Sequence, residues 1–306
     1  MEKRQIQRIK TISEFHRLRG LPKPDHPLIS VVDYSAIKRP SDIDEVSMVL
    51  DFYMISQKKG IGGKMYYGQQ EFDFDEGVMA FIEPNQVFRI QTDPASTEKR
   101  SGWMLLVHPD FLWNTPLAKT IKRYDYFDYS VNEALFLSEK EQKTLDGIID
   151  NIQQEYHTNI DQFSKQIIIS QIESLLNYSE RFYNRQFITR EKGNHQILAL
   201  LEDLLTDYFD GDDLAIKGLP TVQYIADTLH ISPKYLSGLL KTLTGQSTQQ
   251  HIHDKLISKA KEKLSTTSLS VSEIAYELGF EHSQSFSKLF KTKTEMSPLE
   301  FRASFN

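Results

Sequence analysis

The sequence predicts an α+β chain: an amino-terminal β-barrel or sandwich with two flanking helices, then an all-α domain holding two helix-turn-helix units. Three observations carry this. Short β-rich runs alternate with turn residues between about residues 45 and 107, the apolar period changes from two to 3.6 after about Leu137, and the last ninety or so residues contain an internal repeat. At 306 residues the chain exceeds an average domain of about 100–200, so two compact units are expected.

Glu45 to Ile55 and Val78 to Ile82 are β-rich runs, set apart by Gly60-Ile61-Gly62-Gly63 and Asp75-Glu76-Gly77, which supply turn chemistry. Gln70-Glu71-Phe72-Asp73-Phe74-Asp75 alternates polar and apolar, as a strand with one wet face does. Glu83-Pro84-Asn85 stops a strand, Val87 to Gln91 begins another, and Trp103 to Val107 is ended by His108-Pro109-Asp110. Strands at this spacing build a small barrel or sandwich.

Ser138-Glu139-Lys140-Glu141 reads as a capping box, and Leu145, Ile148, Ile149 and Ile152 follow at helical spacing. A second helix is expected from about Ile160 to Phe182, with Phe163, Ile167, Ile168, Ile172, Leu175 and Leu176 on one stripe. These apolar faces need cover, either from the β-unit and each other or from a second copy in a homodimer seam. Asn184 to Gly193 is polar and aperiodic. The expected division is residues 1–187 as the first domain, 188–194 as a linker, and 195–306 as the second domain.

The repeat is specific. Val222, Ile225, Ala226, Leu229 and Ile231 recur 49 residues later as Val271, Ile274, Ala275, Leu278 and Phe280; at an offset of 50, Leu236-Ser237, Leu239-Leu240-Lys241-Thr242 and Thr244 recur as Phe286-Ser287, Leu289-Phe290-Lys291-Thr292 and Thr294. Each copy is a short amphipathic helix, a tight turn and a second amphipathic helix. Ser232-Pro233 starts the second helix of copy one; Ser270-Val271-Ser272-Glu273 caps the first helix of copy two, which Gly279 ends. Between the copies, Gln249 to Thr267 carries Ile252, Leu256, Ala260 and Leu264 as the buried ladder of one connecting helix, and Ser297-Pro298-Leu299-Glu300 caps a last short helix.

This repeat resembles the C-terminal DNA-binding domain of the AraC/XylS family of bacterial transcription regulators, over about residues 195–306. Ile225-Ala226, Leu236-Ser237, Lys255-Leu256 with Ala260, Ser272-Glu273-Ile274-Ala275, Leu278-Gly279-Phe280, Phe286 to Lys291, Ser297-Pro298 and Phe301-Arg302 fall in the family's order and spacing. Three positions depart from its pattern: Glu295 stands where glycine is usual, Phe301 where tyrosine is common, and Gly238 where the first recognition helix often has a long polar side chain. The β-unit, through Tyr67 to Pro84 with Phe72-Asp73-Phe74 and Gly77, resembles the cupin-like barrel that precedes this domain in many members. The resemblance implies a cytoplasmic, homodimeric, sequence-specific transcription regulator. Its partners would be double-stranded DNA, RNA polymerase if it activates, and a small-molecule effector in a cupin-like β-barrel. Tyr53, Met65, Tyr67, Phe72, Phe74 and Phe81 are candidates to line such an effector site, with core packing as their other role.

In a helix-turn-helix the second helix enters the major groove, so its contacts lie opposite the face packed on the first helix. With Leu236, Leu239, Leu240 and Leu243 inward, copy one leaves Lys234, Ser237, Gly238 and Lys241 outward. With Phe286, Leu289 and Phe290 inward, copy two leaves Ser283, Gln284, Ser287, Lys288 and Lys291. Gln284 suits an adenine edge, Lys234 and Lys288 suit guanine acceptors or phosphate, and the serines suit either. Lys241 and Lys291 are placed for phosphate, and Gly238 offers only close approach.

Charge is a weak guide: the net −6 divides into 10 basic against 8 acidic residues in 218–306 and 26 against 34 in the rest. The absence of cysteine excludes disulfides, thiolate metal sites and a cysteine nucleophile. A cupin enzyme would need clustered histidines, yet residues 40–107 contain none. Gly60 to Met65 lacks the spacing and the Ser or Thr of a phosphate loop, and His251 and His253 sit on different sides of their helix. No enzyme activity, cofactor, metal, secretion signal or membrane partner is therefore expected. The competing reading is a cupin-type small-molecule-binding or catalytic protein whose helical tail serves protein–protein contacts.

Overall fold

A computed structural model describes residues 6–37, 47–59, 65–67, 70–72, 77–88, 101–129, 133–157, 161–189, 191–211 and 213–305. It divides into two units, Met1–Gln186 and Phe187–Asn306. The first opens with β1 (Ile6–Ile9) and α1 (Ile12–Leu18), whose cap Thr11 accepts from the Glu14 amide. Then come β2 (Ile29–Asp33), β3 (Ser47–Leu50), β4 (Tyr53–Lys59), β5 (Met65–Tyr67), β6 (Gln70–Phe72), β7 (Val78–Ile82), β8 (Val87–Phe88) and β9 (Ser101–Val107). Short helices α2 (Pro109–Leu112) and α3 (Leu117–Thr120) and strand β10 (Leu135–Phe136) lead to α4 (Glu139–His157) and α5 (Ser164–Thr189).

Among the described residues the strands form a five-stranded antiparallel sheet of order β10-β7-β4-β9-β2, a three-stranded sheet β1-β3-β8, and the pair β5-β6. These are not joined into a closed barrel, so the α+β class stands in its coarser form. The run expected as one β segment from Glu45 to Ile55 is two strands in different sheets. At the corner the Asp51 amide donates to the Ile9 carbonyl and its carboxylate pairs with Arg8 at 2.7 Å, which turns the chain and drops Phe52 into the core.

Strand alternation gives the large sheet two buried faces. One packs toward the small sheet, with Met54, Ile82, Met104, Leu106 and Val32 meeting Met48, Leu50, Phe52 and Phe88. The other is covered by helices: Trp103 Nε1 donates to Asp146 on α4 at 2.9 Å, and the Tyr156 hydroxyl accepts from the Val31 amide. The expected capping box is formed, Glu141 accepting from the Ser138 amide at 2.8 Å. Glu141 also holds Arg185 of α5 in a two-point pair at 2.9 and 3.0 Å, while Arg185 donates to the Phe136 carbonyl. Ile168, Ile172, Leu175 and Leu176 are buried as expected, but Phe163 and Ile167 of the same stripe are exposed, as is Tyr178 further along α5. The stripe is wider than the surface that covers it.

The second unit comprises α6 (Glu191–Asp210), α7 (Asp213–Lys217), α8 (Val222–Thr228), α9 (Pro233–Thr244), α10 (Thr248–Thr266), α11 (Val271–Glu277), α12 (Ser283–Thr294) and α13 (Pro298–Ala303). The stretch read as a linker, 188–194, is no extended connector: α5 runs through Thr189 and α6 starts at Glu191. Thr189 lies on α5 and Glu191, Lys192 and Asn194 on α6, and Asn194 is buried, its amide donating to the Phe187 carbonyl. On α10, Ile252, Leu256, Ala260 and Leu264 are all buried.

The repeat extends to the backbone. Copy one passes through the left-handed region at His230 (φ 57°) after α8 and Gly245 (φ 75°) after α9; copy two does so at Gly279 (φ 79°) after α11 and Glu295 (φ 62°) after α12. Each copy thus has one glycine and one residue with a Cβ at these turns. A Cβ there costs about 1–2 kcal/mol, of which glycine's greater freedom in the unfolded chain returns part. Glu295→Gly is therefore expected to stabilise the protein by about 0.5–1 kcal/mol, read as a rise in the urea midpoint at unchanged slope; an unchanged or lower midpoint would show the turn is already relaxed.

Candidate nucleic-acid interface

The two helix pairs are built alike. After α8 the Ile231 amide donates to the Ala226 carbonyl at 3.0 Å, and after α11 the Phe280 amide donates to Ala275 at 3.0 Å. These paired bonds across a left-handed residue fix the angle between the helices of each unit. Ile225, Ala226, Leu236, Leu239 and Leu240 fill the first unit, and Ile274, Ala275, Leu278, Phe286 and Phe290 the second. Thr221 and Ser232 cap α8 and α9; Ser270 with Glu273 and Ser297 with Glu300 form capping boxes on α11 and α13. The bonds to the cap serines hold the Glu273 and Glu300 carboxyls below their ordinary range, so this capping is present above about pH 4.5 and lost as pH falls through the lowered values.

On α12, Gln284, Lys288 and Lys291 are exposed at i, i+4 and i+7, directly opposite Phe286 and Phe290. Ser283 and Ser287 lie on the flank and are half-buried, the Ser287 hydroxyl donating to the Ser283 carbonyl at 3.0 Å. The matching positions of α9 are Lys234, Gly238 and Lys241, of which Lys241 is exposed and the other two are half-buried. Ser237 is half-buried and shares a hydrogen bond with Thr248 at 3.2 Å. Tyr235 is buried against Phe187, ring centroids 5.1 Å apart. Sequence reading passed over Ser285, which is exposed near the start of α12; its place on the helix, roughly a quarter-turn from Gln284, would have found it.

Seven lysines of this unit divide into two groups. Lys259 pairs with Asp210 at 2.8 Å, Lys263 with Glu277 at 2.7 Å and Lys293 with Asp254 at 3.1 Å, while Lys255 donates to Thr206. Lys241, Lys288 and Lys291 have no ion pair among the described residues. Paired lysines tie α10 to its neighbours; unpaired ones on the two second helices leave full positive charge on one kind of surface. Arg302, though cationic, is spent on structure: it donates to the Leu264 carbonyl at 3.2 Å and to Leu269 at 2.6 Å, closing the turn after α10. Arg302→Ala is expected to strand two carbonyls and cost about 1–3 kcal/mol in thermal melting; a loss under half of that would show that water replaces it.

In the first unit, Tyr53 and Phe81 are buried but face the helices, away from the sheet–sheet core. Phe81 lies 4.5 Å from Tyr126 and 5.7 Å from Phe127, and Tyr53 lies 5.4 Å from Phe127, centroid to centroid. Burial, with Glu83 second, raises the Tyr53 hydroxyl above its ordinary pKa. Both are core residues, because odd positions of β4 and β7 point to the helix side. Met65 and Tyr67 lie on β5 and Phe72 on β6, with Met65 opposite Phe72; Phe74 lies outside the described residues. His251 meets Thr244 and His253 meets Gln249, on separate sides of α10. Among the described residues there is no cluster of His, Asp and Glu fit to hold a metal, and no helix long and apolar enough to cross a membrane.

Residues 225–304 match a protein family described as a helix-turn-helix domain. The chain is 32% identical over 142 residues to the HTH-type transcriptional regulator YfiF of Bacillus subtilis, covering 46% of this chain and 42% of that one. It is 38% identical over 79 residues to the arabinose operon regulatory protein of Escherichia coli, covering 26% and 27%. Among solved structures, the C-terminal domain of AraT, a response regulator from Geobacillus stearothermophilus, is 29% identical, with 35% of this chain and 84% of that one covered and a TM-score of 0.32. The match thus spans less than half the length of these curated relatives.

Proposed function

We propose that this chain, whose carboxy-terminal residues 225–304 form a helix-turn-helix domain of the AraC type, acts as a sequence-specific DNA-binding transcription regulator. The observation that carries the proposal is the outward row Gln284, Lys288 and Lys291 on α12, opposite a fully buried aromatic face and, among the described residues, with no ion pair to either lysine. A helix held in that way presents side chains to the floor and walls of a major groove. Gln284 pairs with an adenine edge, Lys288 with guanine acceptors or phosphate, and Lys241 and Lys291 with phosphate. Ser283 and Ser287 flank the reading row; Lys234, Ser237 and Gly238 form a weaker first reader, because glycine has nothing to extend.

The rest of the reading follows from the first unit. Residues 1–187 act as a cupin-like sensor and dimerisation domain, 195–306 as the reader, and the chain works as a homodimer whose DNA affinity an effector sets; RNA polymerase is its partner if it activates. The exposed Ile167 and Tyr178 on α5, with Phe163 just before it, support a seam between two copies. The relatives, named as transcription regulators, support a non-enzymatic role.

A genomic-fragment binding selection with the full-length protein at two salt concentrations tests this. The expected result is one recurring sequence whose recovery falls with salt, since each neutralised phosphate contributes a slope of about −0.9 in log affinity against log salt. A slope near zero would reject DNA as the partner.

A further inference from the structure

The inward face of β4 holds two polar groups that the fold leaves unanswered. Lys58 is 5% exposed, and among the described residues no carboxylate pairs with it. Its ammonium stands 5.1 Å from the centroid of the Tyr34 ring. Ser56, two residues earlier on the same face, is 1% exposed, and its Oγ has no hydrogen-bond partner. The ring face returns only part of the hydration that a buried ammonium loses, and a buried hydroxyl without a partner is a second loss.

The register places these two residues in neighbouring rows on one face of the sheet. Lys58 pairs opposite Gly102 on β9, and Tyr34 follows directly on Asp33, which pairs with Trp103; the row across the sheet is therefore Lys58, Gly102, Tyr34. Gly102 has φ 117°, and a Cβ there would lie 2.1 Å from the Gln57 carbonyl oxygen, so the backbone itself demands glycine. No side chain then stands between the ammonium and the ring. In the next row Ser56 lies between Ala80 on β7 and Met104 on β9, with Val32 beyond. The sheet–sheet core takes up Met104, Val32, Tyr34 and the row of Ile82, Met54 and Leu106. Toward this end β4 presents Ser56 and Lys58 beside Ala80 and Gly102, where the other end presents Met54, Ile82 and Leu106.

An ammonium offers three donors and a hydroxyl one, and among the described residues no carboxylate pairs with the ammonium. What satisfies them is an acceptor group of single negative charge. A carboxylate fits; a phosphate dianion would leave one charge unpaired. The neighbouring Met104 and Val32 suit an apolar body. We infer that the inward face of β4 binds the head group of a small organic monocarboxylate, Lys58 and Ser56 donating to its oxygens. This rests on the reading of the first unit as an effector domain, and it moves the effector contacts from Tyr53 and Phe81 to the opposite face of the same sheet.

The test uses the full chain in thermal melting with sodium butyrate, octanoate or benzoate, and with the matching neutral amides at equal ionic strength. At a hundredfold excess over its Kd a bound acid raises the melting temperature by roughly 5 °C or more. The expected result is such a rise with at least one acid and none with its amide. Lys58→Met should abolish it while melting no lower than wild type without ligand, since it removes an unpaired buried charge. If that variant does not fold, Ser56→Ala decides, and must lower the apparent affinity for the acid. No rise with any acid, an equal rise with the amide, or a rise kept intact in Lys58→Met (or, in its stead, an unchanged affinity in Ser56→Ala) overturns the inference. DNA binding measured on the same samples separates the two readings: DNA bound without any acid effect on melting leaves the regulator standing and removes the site, and acid binding in a protein that never binds DNA does the reverse.

Discussion

The double variant Gln284→Ala with Lys288→Ala is expected to lose roughly a hundredfold or more in affinity for the selected operator, while its melting temperature and far-UV spectrum stay those of the wild type. A well-formed base contact carries about 1–3 kcal/mol of discrimination, and two removed from each reading helix compound in a dimer. Folding is spared because both side chains are exposed on the face opposite Phe286 and Phe290. Lys291→Ala should behave differently: affinity falls by a similar factor on every sequence, and the salt slope drops by about one for each phosphate that is no longer neutralised. Titration of a labelled operator by fluorescence anisotropy at several salt concentrations separates the two behaviours. Unchanged affinity in the double variant would mean that α12 is not the reading helix.

The same comparison asks which unit reads. The repeat places Gly238 where copy two has Lys288, and Lys234 and Ser237 are half-buried in α9 while Gln284 and Lys288 are open in α12. Lys241→Ala is then expected to act as the removal of a phosphate partner, reducing the salt slope without relaxing sequence preference. If it relaxes preference instead, the first unit reads bases and the asymmetry between the copies is of another kind.

The second unit was legible because its code is local. An apolar residue at i, i+3 and i+4, a cap and a turn each depend on neighbours in sequence, and the repeat states them twice. The first unit was legible only as a class. Nothing in Glu45 to Ile55 marks Asp51 as a corner; that depends on Arg8 and the Ile9 carbonyl, more than forty residues away. Nor does the α5 stripe announce that its cover reaches Ile168 and stops short of Phe163, since width of cover is a tertiary property. The stretch 188–194 misled for the opposite reason. A polar, aperiodic composition suits a connector, yet Arg185 and Gln186, just before it, are tied to Phe136 and Ala134 by hydrogen bonds invisible in sequence. The same holds for Lys58: the β-rich run read from sequence ends at Ile55, yet β4 continues through Lys59 and buries this lysine.

Gly279→Ala is expected to cost about 2–4 kcal/mol, and Gly245→Ala only about 1, although both glycines have φ between 75° and 79°. The backbone penalty is common to both. What differs is the space: a Cβ at Gly245 meets nothing within 4 Å, whereas one at Gly279 would lie 2.7 Å from the Leu214 carbonyl oxygen and 2.8 Å from the Gly218 Cα. Those atoms are backbone, which cannot swing aside as a side chain can, so the turn after α11 must move away from the segment after α7. Because that turn sets the angle at which α12 leaves α11, Gly279→Ala should also weaken operator binding at temperatures where the domain is still folded, and Gly245→Ala should not. Both tryptophans, Trp103 and Trp113, belong to the first unit, so the loss is read from the far-UV helical signal in urea. Equal destabilisation by the two substitutions would mean that the close approach of Gly279 to Gly218 relaxes freely, and that the reading angle of α12 is set elsewhere.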